Sequence, residues 1–237
     1  MASERLPRTR RTVLVAGVVA ALGCLTAALS LVGGSGGTPA AQDEDDGPPR
    51  GLPSRIAPTA APGAPSFTVW AGPGCTSGRY SEQNRFRNGF AGWYTVRSGG
   101  FRDTSCDGSY TAVPMSGSPD RDGRNSATWS WSVGEDYDRC ALAVFVPKGP
   151  RDIDVAGNPT VYRILSDPKD PASAYATFGV RQPAHRGTLV EVGTYPVRSA
   201  VFTVRLVDRG RDWGDSSLSG AHHAAAQLRL SCEPGEG

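Results

Sequence analysis

Three histidines, His185, His222 and His223, are the residues of this chain best suited to moving a proton or holding a metal. His185 lies in Gln182-Pro183-Ala184-His185-Arg186-Gly187, which reads as a solvated turn. His222 and His223 are adjacent, and neighbours on a strand point to opposite faces, so one ion could not use both. No metal site is expected from them. Nucleophilic catalysis needs a hydroxyl or thiol activated by a base, and no serine stands in such a setting. Glycosidase chemistry needs two carboxylates held apart on a rigid scaffold, whereas Asp120, Asp122, Glu135 and Asp136 fall in turn-rich sequence. Asp120-Arg121-Asp122-Gly123-Arg124-Asn125 has the start of a calcium loop but not the later ligands, including the closing glutamate. A tight turn is the expectation there. No glycine-rich phosphate cradle follows a strand, and no cofactor is expected.

Binding is better supported. Sugar rings stack on aromatic faces, and five tryptophans are present: Trp70, Trp93, Trp129, Trp131 and Trp213. Trp129 and Trp131 sit at alternate positions of an apolar run and belong in a core, and Trp93 of Gly92-Trp93-Tyr94 is expected to be structural. Trp213 is different. It lies in Asp208-Arg209-Gly210-Arg211-Asp212-Trp213-Gly214-Asp215, a polar loop in which a tryptophan has no packing reason to be. Trp213, Arg209, Arg211 and Asp212 are therefore the candidate ligand-binding residues, since loops on a rigid scaffold commonly carry binding.

The elements that would position this loop read as strands. Ala127, Trp129, Trp131 and Val133 alternate with small hydroxyl residues, and Phe202, Val204 and Leu206 alternate with Thr203 and Arg205. Ala176, Phe178 and Val180 share one face of a third run. Cys140–Val146 is apolar on both faces, as a central strand covered from both sides would be. Ala221–Leu228 has good helix formers but is flanked by strand-like residues. Gly, Pro, Asn and Asp separate the runs, which predicts an all-β, antiparallel β-sandwich of jelly-roll type.

Cys75, Cys106, Cys140 and Cys232 are dispersed, with no CxxC pair and no zinc-finger spacing. Four such cysteines in an exported domain read as a disulfide framework with three possible connectivities. Strand parity puts Cys140 on the Leu142/Val144 face and Cys232 on the Leu228/Leu230 face. If both faces are inward, the two sulfurs can meet, leaving Cys75 and Cys106 as partners.

Residues 1–12 form a basic tail with Arg5, Arg8, Arg10 and Arg11, and residues 13–32 are an uncharged apolar run containing Cys24. About twenty residues at roughly 1.5 Å each span a hydrocarbon core of about 30 Å. The arginines before it and Asp43-Glu44-Asp45-Asp46 after it place the N-terminus in the cytoplasm and the remainder outside. A retained single-pass anchor is expected. Secretion after cleavage is the alternative, given Thr38-Pro39-Ala40 and the twin-arginine-like Thr9–Leu14. Residues 33–65, rich in Gly, Pro, Ala and Asp, are expected to be a disordered spacer, and 66–234 the exported domain. With 25 basic and 23 acidic residues the formal net charge is only +2, which gives no global field for nucleic acid.

In chain order, Gly92-Trp93-Tyr94, Gly108-Ser109-Tyr110, the Trp129/Trp131 strand and Cys140–Pro147 are followed by Tyr175–Gln182, Glu191–Tyr195 with its "GTY" turn, and Val204–Asp208. This succession, from about Phe86 to Cys232, resembles the golvesin C-terminal-like domain, which is similar to the carbohydrate-binding module of xanthan lyase. The family's usual final strand appears here as Ala224-Ala225-Ala226-Gln227-Leu228-Arg229, without its acidic residue. The resemblance implies a β-sandwich attached to secreted or surface proteins. The expected function is a non-enzymatic surface module whose partner is cell-envelope polysaccharide or a surface protein. An extracytoplasmic protein-interaction subunit ranks second and a small hydrolase with an unconventional site third.

Overall fold

Turn-forming residues cut the chain into short strands, and the strands pair antiparallel throughout. The structure is a computed structural model, and it describes residues 66–85 and 92–234. The expected basic tail, membrane span and spacer lie outside the described residues. Among the described residues no helix is long and apolar enough to cross a membrane.

Twelve strands are described: β1 (Phe67–Ala71), β2 (Arg79–Gln83), β3 (Tyr94–Val96), β4 (Tyr110–Pro114), β5 (Ser126–Ser132) and β6 (Arg139–Val146), then β7 (Thr160–Leu165), β8 (Ala174–Val180), β9 (Thr188–Pro196), β10 (Val201–Val207), β11 (His222–Ala225) and β12 (Leu228–Glu233). One sheet has the order β1-β12-β6-β9, a second β2-β5-β10-β7-β8, and a third β11-β4-β3. The remaining regular structure is three single-turn 3-10 segments. The domain is all-β with antiparallel sheets, an arrangement consistent with a β-sandwich.

The alternating runs pack as their periodicity requires. Trp129 and Trp131 on β5, Phe202, Val204 and Leu206 on β10, and Tyr162 and Ile164 on β7 meet Leu142 and Val144 of β6 and Leu228 and Leu230 of β12 in one buried cluster. The Trp129 indole N–H donates to the Ala226 carbonyl at 2.9 Å, so this ring is both packed and satisfied. An aromatic series runs outward from it through Tyr162 and Phe178 to Tyr195. β6 lies between β12 and β9, and its outer face carries Phe145 against Phe101, which in turn stacks on Trp70 at 3.7 Å. The two-sided apolarity of Cys140–Val146 thus has its cause.

Both disulfides join residues directly opposite each other. Cys140 pairs with Cys232 in the register of β6 and β12, and Cys75 pairs with Cys106 across an isolated antiparallel bridge. Neighbouring antiparallel strands bring opposed Cα atoms to about 4.5–5.5 Å, the range in which two cysteines can bond.

One local expectation is corrected. The "GTY" segment is no turn: Gly193, Thr194 and Tyr195 continue within β9, and the register slips by one residue opposite Leu142 and Ala143. Gly193 sits at a φ of +132°, which a bulge needs and a side chain resists. Ala221–Leu228, whose helix formers are flanked by strand-like residues, enters β11 and β12 with all eight residues buried. Tertiary pairing outweighs the few tenths of a kcal/mol per residue that propensity offers.

Candidate functional site

β10 ends at Val207, and Asp208 next to it turns inward instead of outward. Its carboxylate is 1 % exposed and accepts the Gly123 N–H at 2.6 Å and the Asn125 N–H at 3.0 Å. The Asp208 carbonyl accepts the Ser116 N–H, and the Gly210 N–H donates to the Ser118 carbonyl. One buried acid and a pair of backbone bonds therefore fasten three loops (115–119, 120–125 and 208–215) into a single rim. The Asp120–Asn125 segment is held by its backbone amides, and the Asp122 side chain is engaged by arginines. Arg209 Nε reaches Asp122 Oδ1 at 2.9 Å, and Arg163 reaches Oδ2 at 2.6 Å.

The four residues singled out from sequence all lie on this rim. Trp213 is 57 % exposed, the one large apolar side chain left standing in solvent among the described residues. Its indole N–H donates to the Gly117 carbonyl at 2.7 Å, which fixes the ring's orientation. The Arg211 guanidinium lies 5.5 Å from the ring centroid, within cation–π range. Asp212 Oδ1 lies beside Gly117, and Arg209 is drawn down by Asp122. The structure thus brings together Trp213, Arg211 and Asp212 at the rim, and gives Arg209 a structural tie as well.

Sequence reasoning missed the cleft beside them. A cavity of about 600 Å3 opens between Arg209, Arg211 and Leu218 on one side and Met115, Asn158 and Pro159 on the other. That volume falls in the range of small-ligand sites. Its apolar walls come from the β4–β5 loop, the β6–β7 connection, β7 and the loop after β10, and no local motif announces such a meeting. Gly210 forms part of the floor. A Cβ there would come within 2.7 Å of Met115 Sδ and 2.9 Å of His223 Nε2. Gly210→Ala is expected to cost about 1–2 kcal/mol by overpacking, read as a lowered denaturation midpoint; an unchanged midpoint would show that the floor yields freely.

The histidines divide as the strand parity requires. His222 and His223 take opposite faces of β11, and both are buried. His222 Nε2 bonds the Gly92 carbonyl at 2.9 Å, and its Nδ1 lies 3.4 Å from the Tyr94 hydroxyl. That hydroxyl donates to Asp154 at 2.6 Å, and Arg151 pairs with the same carboxylate. Burial and then the Asp154 bond push the Tyr94 phenol well above its ordinary range, so it keeps its proton and is no nucleophile at neutral pH. His223 Nδ1 lies 2.9 Å from the Thr160 hydroxyl, with both residues wholly enclosed. His223 Nε2 rests beside the backbone of Asp208 and Arg209 without a hydrogen bond of normal geometry. Neither side chain of this hydroxyl–imidazole pair reaches solvent. Among the described residues no three His, Cys, Asp or Glu side chains are grouped to hold a metal. His185 stands exposed in its 3-10 turn.

Fold and site together define an all-β, disulfide-stapled domain with an aromatic–arginine rim beside a half-apolar cleft. No known family model and no curated protein matches the chain.

Proposed function

We infer that this chain is a non-enzymatic binding module displayed outside the cytoplasm, holding a glycan or another cell-envelope component at the Trp213 rim. The observation that carries this reading is the exposed, hydrogen-bonded indole beside the cleft. A ring held at a fixed tilt in solvent, flanked by Arg211 and Asp212, offers a stacking face with polar groups at its edge. Two disulfides support an oxidising compartment outside the cytoplasm. The resemblance to the golvesin C-terminal-like domain supports a jelly-roll sandwich and an envelope polysaccharide as partner. Residues 13–32 are the proposed membrane anchor, with release by cleavage as the alternative. The enclosure of Thr160 and His223 favours binding over hydrolysis.

The test is retention of the full-length chain, in detergent, on isolated cell wall and on a glycan array. Trp213→Ala is expected to weaken retention about tenfold or more, the scale of a lost aromatic anchor, while the unfolding midpoint stays put. Equal retention by the variant would remove the site assignment.

A second reading, an extracytoplasmic subunit acting through protein contacts, draws on the same pair, because Trp and Arg dominate protein-interface energetics. Crosslinking on intact cells that captured one discrete protein, without glycan, would favour it.

A further inference from the structure

On the outward face of β10, Arg205 lies directly opposite Arg163 of β7. Like charges at directly opposed positions destabilise a sheet, so the arrangement needs a reason. Arg163 has one, since it shares Asp122 with Arg209. Arg205 does not. Its guanidinium donates only to neutral oxygens, the Ser126 hydroxyl at 3.0 and 3.1 Å and the Gln83 side-chain carbonyl. Among the described residues it makes no ion pair. Burial, followed by the charge of Arg163, lowers its affinity for its own proton, the sign of a cation short of a counter-charge.

This arginine opens into a cleft of about 320 Å3, lined by Gln83, Asn84, Asn125 and Ser126 as well as Arg124, Arg163 and Arg205. Three guanidinium groups face it against one carboxylate, Asp122, which is already divided between two arginines. The Asn125 backbone is fixed by buried Asp208, so the polar wall is preorganised. Asp122 also demonstrates the chemistry, because Arg163 already binds its carboxylate at 2.6 Å. A second carboxylate on Arg205 would supply the missing charge through charge-assisted hydrogen bonds. One uncompensated, partly buried cation matches a monoanion. The amides and hydroxyl around it suit the hydroxyls of a sugar ring.

We propose that the Arg163/Arg205 cleft binds the carboxylate of an acidic sugar residue, with Arg205 as the principal charge and Arg124 at the entrance. The assignment rests on the reading of this domain as a glycan-binding module, and it narrows the ligand to an acidic glycan. Asp122 lines this cleft and bonds both Arg163 and Arg209, and Arg209 in turn lines the cleft that Arg211 shares.

The experiment is calorimetric titration of the full-length chain in detergent with an oligogalacturonate, with a neutral galactose oligomer of the same length, and with inorganic phosphate. The acidic oligomer is expected to bind at least about tenfold tighter than the neutral one, with the difference shrinking as salt rises. Arg205→Gln should abolish that preference with little change in the unfolding midpoint, because relief of the Arg163 repulsion offsets the hydrogen bonds lost to Ser126 and Gln83. Arg124→Gln, a change at an exposed loop position, should reduce it in part. Equal affinity for acidic and neutral oligomers would overturn the carboxylate site while leaving the glycan reading intact. Inorganic phosphate competing as well as the acidic oligomer would overturn it in favour of a general oxyanion site. Binding of neither oligomer overturns it too, and Trp213-dependent retention on cell wall then decides the glycan reading separately.

Discussion

Removing the Cys140–Cys232 disulfide, as the Cys140→Ala/Cys232→Ala pair, is expected to cost about 4–5 kcal/mol of folding stability. The bridge closes a loop with a sequence separation of 92. In the chain-entropy account, tying off a loop of that size withdraws about 4.6 kcal/mol of freedom from the unfolded chain. The sulfurs also lie inside the core, 0 % and 1 % exposed, so their loss removes packing as well. The Cys75–Cys106 bridge, with a separation of 31, is expected to contribute about 3.7 kcal/mol by the same account. Against a typical total of about 5–15 kcal/mol, either loss is large and the first can leave the domain marginal. Denaturant unfolding of the two double variants measures the order. A larger loss at Cys75/Cys106 than at Cys140/Cys232 would show that loop closure is not the governing factor.

The second large effect is a loss of stability in mild acid, centred on His223. Burial, with a smaller contribution from the charge of neighbouring His222, pushes the His223 imidazole down to about 4 in the folded state. In an unfolded chain it titrates near 6.5. Between those values the unfolded chain takes up a proton that the folded one refuses, so falling pH favours unfolding. The stabilisation is complete above about pH 6.5 and disappears by about pH 4. At 1.36 kcal/mol per pH unit the interval is worth about 3 kcal/mol. His222, also lowered chiefly by burial, acts in the same sense, although Asp154 partly offsets it and Arg151 adds to it. The check compares urea midpoints at about pH 7 and about pH 4.5 for the native chain and His223→Gln. A smaller acid loss in the variant is expected. Parallel pH profiles would mean that His223 carries none of it.

That titration bears on the site, because His223 lies beneath Gly210 and beside the backbone of Asp208 and Arg209. A proton forced onto it would place a charge directly under the cleft floor. Weakened ligand retention in mild acid, preceding global unfolding, is the expected accompaniment.

Much of the scaffold is legible along the chain because its signals are local. Trp129 and Trp131, or Phe202, Val204 and Leu206, are two residues apart, and a pleated strand puts such residues on one face. The same parity turns Cys140 and Cys232 inward, while the pairing of β6 with β12 is what sets them opposite each other. The polar residues that hold the loops are not legible in this way. Gln182 bonds both the N–H and the carbonyl of Ala224, and Gln227 takes the Phe101 N–H while donating to the Pro73 and Ser109 carbonyls. Both glutamines are wholly enclosed, and sequence offers no sign that an amide is inside. They are tolerated there because every bond they lose to water is replaced.

Trp213 occupies the middle ground. Its polar neighbours alone mark it as a tryptophan with nothing to pack on, and it stands exposed. That it leans on Gly117, 96 positions away, and that Arg209 and Arg211 beside it line a cleft are facts of the folded chain only. The same holds for Arg205 and Arg163, which are unremarkable 42 positions apart and become a charged pair only through the register of β10 and β7. Alternation, cysteine parity and loop composition determine which strands exist, which faces are apolar and which tryptophan is left out. The tertiary structure alone decided which loops share a rim and which charges face one another, because those depend on strand order and register, and no single stretch of sequence carries either.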